Sequence, residues 1–293
     1  MNTVAAAKPA TPPPDPTPRR ANFVPPADSC NAHCHVFGPF DRHPVPENRS
    51  FTPSEAPESE LRRIDDHFGF ARAVIVQSQG HGWDHQPVLD ALAAGNGRYR
   101  AVGLIRPDTS PETVARYDAA GFCGARFSFM THLGFPDLTD VRAAIDLVRP
   151  HGWHIAIHVS GTGLVDLEEF IRSIDLPVVI DHMARPDVTR GVETPVMDAM
   201  RRLLDGGKVW VKVSGADRLA NQVVPYAAAL PWAKAVAAHA PERILWGSDW
   251  PHVNLDGPMT DDAALVELIP QIVPDAAKRR LMLVDNPAQL FRF

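Results

Sequence analysis

The chain has 293 residues, 45% of them hydrophobic, with 29 Lys and Arg against 35 Asp and Glu and a formal charge of −6. This content supports a sizeable buried core. A mildly acidic chain without a basic stripe excludes nucleic acid as its main partner, but leaves small anions open to a local arginine cluster.

No window approaches the roughly 20 apolar residues of a membrane span, so no membrane partner is expected. The three cysteines, Cys30, Cys34 and Cys123, cannot build a disulfide framework and read as small buried thiols of a cytoplasmic protein.

Residues 1–27 stand apart, with six prolines between Pro9 and Pro18. Such a segment buries too little apolar surface to offset its ordering entropy. It reads as an extended or disordered arm that could pack on the rest of the chain or on a second copy, a homo-oligomer being open. The stretch Pro39–Pro57 reads as a long loop, and a loop of that length in a compact domain is usually functional.

From residue 28 to 293 the pattern is that of one domain. Short apolar runs recur at Ser29–His33, Ala73–Gln77, Ala101–Ile105, Gly124–Phe127, His154–Val159, Val178–Asp181, Val209–Val213 and Ile244–Trp246. Most are apolar throughout, which suits parallel strands buried on both faces. Amphipathic stretches lie between them at Pro87–Ala94, Pro111–Ala120, Asp140–Arg149, Leu164–Ser173, Pro195–Leu204 and Tyr226–His239, and Asp285–Phe291 reads as a closing helix. Several open with Pro or an acidic residue and end near Gly, as helices do. Eight strand–helix units predict an α/β fold, the (β/α)8 TIM barrel. An open doubly wound sheet would want a glycine-rich phosphate loop after the first strand, and none is present.

The unusual polar residues fall where these strands end. His33 and His35 close the first, His81 follows the second, Arg126 ends the fourth and His158 the fifth. His182 follows the sixth, with Arg185 beyond it. Arg218 follows the seventh, and Asp249 the eighth with His252 after it. In a barrel all strand C-termini meet at one face, so these residues converge. Alternate strand residues share a face, so His33 and His35 point together and could grip one metal ion.

First-strand His-x-His, a histidine after strand six and an aspartate after strand eight resemble the amidohydrolase superfamily. The segments Asn31–Pro39, Asp65–Arg72, Val179–Asp187 and Trp246–His252 resemble its branch of 2-pyrone-4,6-dicarboxylate hydrolases, sulfomuconolactone hydrolases and galactarolactone isomerases. The resemblance runs from about residue 28 to the C-terminus.

That resemblance implies a hydrolase opening a small carboxylated lactone in aromatic or sugar-acid catabolism. Asp249 would activate water, while His33, His35 and His182 would polarise the carbonyl. Arg126, Arg185, Arg218, His252, His81 and Phe51 would contact the substrate. Lactone isomerisation, metal-dependent decarboxylation and a binding protein without activity are the alternatives. The sequence departs from the branch at Asn31, Phe51, His132 and His158. Phe51 and His132 stand where tyrosine and arginine are expected, which argues for a different lactone. His158 in place of a tyrosine predicts a metal set of His33, His35, His158 and Asp249. Its ligand types suit Zn2+, with Mn2+ or metal-free action as alternatives.

Overall fold

The computed structural model describes residues 10–47, 49, 51–130, 134–255 and 257–293. In chain order the elements are β1 (Cys30–Cys34), α1 (Glu58–Phe68), β2 (Arg72–Val76), α2 (Gln86–Gly95), β3 (Tyr99–Gly103), α3 (Pro111–Ala120), β4 (Phe122–Ser128) and α4 (Leu138–Val148). They continue with β5 (His154–His158), α5 (Gly163–Asp166), α6 (Glu168–Ser173), β6 (Val178–Ile180), α7 (Pro195–Asp205), β7 (Val209–Lys212) and α8 (Ala216–Leu219). The remainder is α9 (Leu230–His239), β8 (Ile244–Leu245), α10 (Asp262–Ile272), α11 (Ala276–Arg280) and α12 (Asn286–Phe291).

Each strand pairs in parallel with the next, in the order β1 to β8. The chain just beyond β8 returns to β1. Ala32 N–H donates to the Trp246 carbonyl (2.8 Å), Asp249 N–H to His33 (2.9 Å) and His35 N–H to Trp250 (2.8 Å). These bonds bring the two outer strands of the sheet together into a nearly closed barrel, and the same bonds set Asp249 beside the His33–His35 pair.

Two apolar layers follow from the alternation of strand residues. Ala32, Val74, Val76, Val102, Ala156, Val179 and Leu245 pack together with Trp210 and Phe291 of α12. Their neighbours Ile75, Ala101, Ile155, Ile157, Ile180 and Val211 pack against the helices. Both faces are dry, which is why the strands read as continuous apolar runs.

Local signals fix several helix ends. The Ser110 and Thr194 side chains accept the backbone N–H of Thr113 and Met197, and proline opens α3 and α7. Gly121 ends α3 at φ 112°, a conformation that only glycine adopts cheaply.

The stretch expected as one helix at Leu164–Ser173 is two, α5 and α6, broken at Leu167. The one expected from Tyr226 starts at Leu230, because Tyr226 sits in the left-handed region at φ 62°. Helices α1 and α10 were not anticipated. Trp153, Trp210, Trp232, Trp246 and Trp250 pack in the core, but Trp83 is exposed under the Arg106 guanidinium. Among the described residues no helix is long and apolar enough to cross a membrane, and all three cysteines are buried and free.

Candidate active site

The strand ends converge as the topology requires. One cavity is lined by His35, Phe51, Arg126, His158, His182, Arg185, Arg218 and Asp249, together with Ser78, Gln79, Val253 and Asn254. His33 is fully buried beneath it, its Nε2 3.5 Å from Asp249 Oδ1. The last four lining residues carry no signal in the sequence. They sit on loops, and only the closed barrel brings them to the mouth.

Backbone strain is concentrated here. His182, Met183, Ala184 and Arg185 all lie in the left-handed region, at φ 50°, 53°, 59° and 41°, and Asp249 lies at φ 65°. Each such residue costs roughly 1–2 kcal/mol. The turn so formed carries His182 and Arg185 to the same cavity. Two glycines let the histidines approach. A Cβ on Gly247 would lie 2.6 Å from the His33 nitrogen, and one on Gly215 would lie 3.2 Å from the His182 Cβ.

Asp249 Oδ1 is ringed by imidazole nitrogens, with His35 Nε2 at 3.3 Å, His33 Nε2 at 3.5 Å and His182 Nε2 at 3.8 Å. Its Oδ2 accepts Arg218 Nε at 3.0 Å. Burial pushes the Asp249 carboxyl up, but the charged surroundings, with Arg218 paired to Oδ2, outweigh it and hold it well below the usual carboxylate range. Burial takes His182 down to about 3 and, with Arg126 and Arg185, holds His158 low, so both rings are neutral.

Beneath the cavity lies a buried ionic network that sequence reading missed. Lys212, fully buried on β7, places Nζ 3.2 Å from Asp181 Oδ1 and 3.1 Å from His33 Nδ1. Arg126 Nε donates to Asp181 Oδ2 at 2.8 Å. Burial would raise the Asp181 carboxyl, but Lys212 and Arg126 outweigh it and keep it low. The available signal was a lysine inside an otherwise apolar parallel strand. An ammonium can only donate, so His33 Nδ1 accepts and its Nε2 carries the hydrogen. That Nε2, buried and without a hydrogen-bond partner among the described residues, is a donor directed at the space beside Asp249.

The donor set fits a divalent ion against Asp249 Oδ1. His33, His182 and Asp249 offer atoms within 4.8 Å of one another. Ligands on a tetrahedral ion at ~2.1 Å lie about 3.4 Å apart, close to the separations seen. His35 Nδ1 is 2.7 Å from the Val76 carbonyl, which leaves the His35 Nε2 lone pair facing Asp249. His182 Nδ1 meets Ser214 Oγ at 2.9 Å, which leaves Nε2 free to ligate. His33 joins such a set only in the tautomer opposite to the one Lys212 imposes. The other expected ligand, His158, lines the same cavity, its Nε2 buried and unpartnered among the described residues. Its Nδ1 bonds Ser128 Oγ at 3.2 Å and its ring centroid is 5.8 Å from that of His182. The group of described residues whose atoms could share an ion contains His182 together with His33 and Asp249.

The three arginines differ. Arg126 is bound to Asp181. Arg218 is committed to Asp249 and, through its terminal nitrogens, to the Asn254 and Val253 carbonyls. The Arg185 side chain has no hydrogen bond or ion pair among the described residues, and its Nε is buried and orphaned. Burial and the neighbouring Arg218 bring it down to about 10, still charged at neutral pH.

Two expected substrate contacts are not in the cavity wall. His81 accepts the Gly38 N–H at 3.1 Å and stacks on Phe37 at 5.8 Å. His252 is fully buried, with Nε2 2.8 Å from Asp262 Oδ1. Both support the walls from behind. His132 lies outside the described residues.

The sequence family described as amidohydrolase matches residues 30–293. A 2-pyrone-4,6-dicarboxylate hydrolase of Comamonas testosteroni is 36% identical over 284 residues, covering 94% of this chain and 93% of that one. A 4-sulfomuconolactone hydrolase of Hydrogenophaga intermedia is 33% identical over 274 residues, covering 92% and 90%. Among solved structures, a probable 2-pyrone-4,6-dicarboxylic acid hydrolase of Acinetobacter baumannii with citric acid bound superposes with a TM-score of 0.81 at 27% identity, covering 91% of this chain and 100% of that one.

Proposed function

Because the chain belongs to the amidohydrolase family, we propose that it hydrolyses a small lactone bearing at least one carboxylate. The observation that carries this reading is Arg185, a charged guanidinium whose Nε is buried without a partner among the described residues, lining the same cavity as Asp249 and the histidines. A buried unpaired cation is costly, and a substrate carboxylate would satisfy it through paired hydrogen bonds.

In this reading Arg185 and the free edge of Arg126 orient the anionic lactone. His33 Nε2–H donates to its carbonyl oxygen, where negative charge develops. Asp249, held ionised by its neighbours, takes a proton from water as the water oxygen bonds to the carbonyl carbon. The ring C–O bond then breaks, and the ring oxygen receives that proton. The products are a hydroxyl group and a carboxylic acid on one opened chain, and the acid releases its proton to solvent to become a carboxylate. Arg218 keeps Asp249 aimed, and Phe51 and Val253 limit water access.

We further propose a single Zn2+ at Asp249, with His35 and His182 as its imidazole donors. When bound it would supply Lewis-acid polarisation of the carbonyl. The three free buried cysteines accord with a cytoplasmic location.

The test is loss of ultraviolet absorbance from 2-pyrone-4,6-dicarboxylate, and turnover of 4-sulfomuconolactone, with the purified protein. Asp249→Asn should lower kcat by about 10²–10⁴ while the protein stays folded. Failure of the wild-type protein to open either lactone, or survival of turnover in Asp249→Asn, would overturn this assignment.

A further inference from the structure

We infer that the proline-rich arm is a working part of the substrate pocket, and that Thr11 is a positioning residue for the two loops that carry Phe51 and Asn254. This inference rests on the reading of the cavity as a lactone site.

Thr11 is 6% exposed, unusual for a polar residue in a segment rich in proline. Its backbone N–H donates to the Thr52 carbonyl at 2.8 Å, and Ala10 forms a bridge with Thr52. Its carbonyl accepts the Ser54 hydroxyl at 2.7 Å. Its own Oγ1 accepts the Asn254 N–H at 3.3 Å. One residue thus ties together two loops 200 positions apart in sequence. The first carries Phe51 and the second carries Val253 and Asn254, and all three line the cavity with Asp249.

The arm is held at a second point. Arg19 makes a paired contact with Glu267 of α10, at 2.8 and 2.9 Å, and a third bond to Asp261 Oδ2 at 3.1 Å. The Asn22 N–H also donates to Glu267 Oε1 at 2.9 Å. Proline restricts the chain between these points, which lowers the entropy of holding it there. Among the described residues no other hydrogen bond joins the Phe51 loop to the Asn254 loop as Thr11 does. The strap therefore sets their spacing, and with it the width of the pocket that receives the lactone.

Two substitutions in the full-length protein test this. Thr11→Val is isosteric and removes only the bond to Asn254, and Arg19→Ala releases the distant clamp. Both should raise amide hydrogen exchange at 51–55 and 253–255 while exchange in the barrel strands stays unchanged. For 2-pyrone-4,6-dicarboxylate or 4-sulfomuconolactone, KM should rise about fivefold in Thr11→Val, with kcat within about twofold, the loss of one hydrogen bond's worth of ordering. Unchanged exchange in both loops overturns the strap. Increased exchange with unchanged KM overturns its role in substrate positioning, as does a fall in thermal stability with KM unchanged. If the wild-type protein opens neither lactone, the proposed function fails separately, and exchange alone decides whether the arm orders the two walls.

Discussion

His35 Nε2 lies 3.3 Å from Asp249 Oδ1, while Nδ1 of the same ring lies 2.7 Å from the Val76 carbonyl. The carbonyl can only accept, so Nδ1 carries a hydrogen. A neutral His35 then turns a lone pair toward an ionised carboxylate. That contact is repulsive unless a proton or a metal ion lies between them.

The expected outcome follows directly. Protein prepared without chelator should hold about one Zn2+ per chain by elemental analysis, and His35→Ala and Asp249→Asn should each lose it. Protein that excludes Zn2+ at micromolar concentration would overturn the zinc assignment.

Lys212 carries a different prediction. It is fully buried between Asp181 and His33, so Lys212→Met leaves Asp181 with Arg126 alone. Breaking a buried ion pair from one side costs about 3–5 kcal/mol. Urea denaturation should show that loss. A midpoint unchanged from wild type would mean that Asp181 and Lys212 are not paired as charges.

Arg185 should behave in the opposite sense. Its Nε is buried without a partner among the described residues, so Arg185→Met removes a partly desolvated charge and should leave stability unchanged or higher. Catalysis should suffer, with KM for a carboxylated lactone rising roughly 10- to 100-fold, the worth of a charged hydrogen bond. A variant less stable than wild type with normal KM would place Arg185 in the framework instead.

Stability should peak near pH 6.5. His154 and His182 are taken by burial to about 3, and burial also holds His33 and His158 low. The unfolded chain takes up protons at about 6.5 that these folded rings refuse. Stability is therefore lost as pH falls below about 6.5, by up to ~1.4 kcal/mol per pH unit for each ring. Asp65 acts oppositely. Burial raises it to about 8, so the folded state keeps a proton that the unfolded chain releases above about 4. It lowers stability as pH rises from about 4 to about 8, and above 6.5 it is unopposed by the histidines. Urea midpoints at pH 5, 6.5 and 8 test both limbs, and Asp65→Asn should flatten the alkaline one. Equal midpoints at pH 5 and 6.5 would refute the burial of neutral histidines.

The barrel was legible in the sequence because buried parallel strands must be apolar on both faces, so runs such as His154–Val159 stand out between helical stretches. His33, His35, His182 and Asp249 were legible because chemistry at strand C-termini needs polar residues where packing alone would put apolar ones. Tertiary structure decided the rest. Which histidine nitrogens face Asp249 depends on side-chain direction over a few ångströms, and that set His182 Nε2 3.8 Å from Asp249 Oδ1. His81 and His252 follow their strands as the others do, yet Gly38 and Asp262 turn them into the walls. Lys212 looked like one charge in a strand until the closed barrel set it against Asp181 and His33. The arm showed only a composition too poor to fold alone. Its role in the pocket exists because closure of the sheet brings residues 52, 54 and 254 within hydrogen-bond reach of Thr11, a distance that no local pattern encodes.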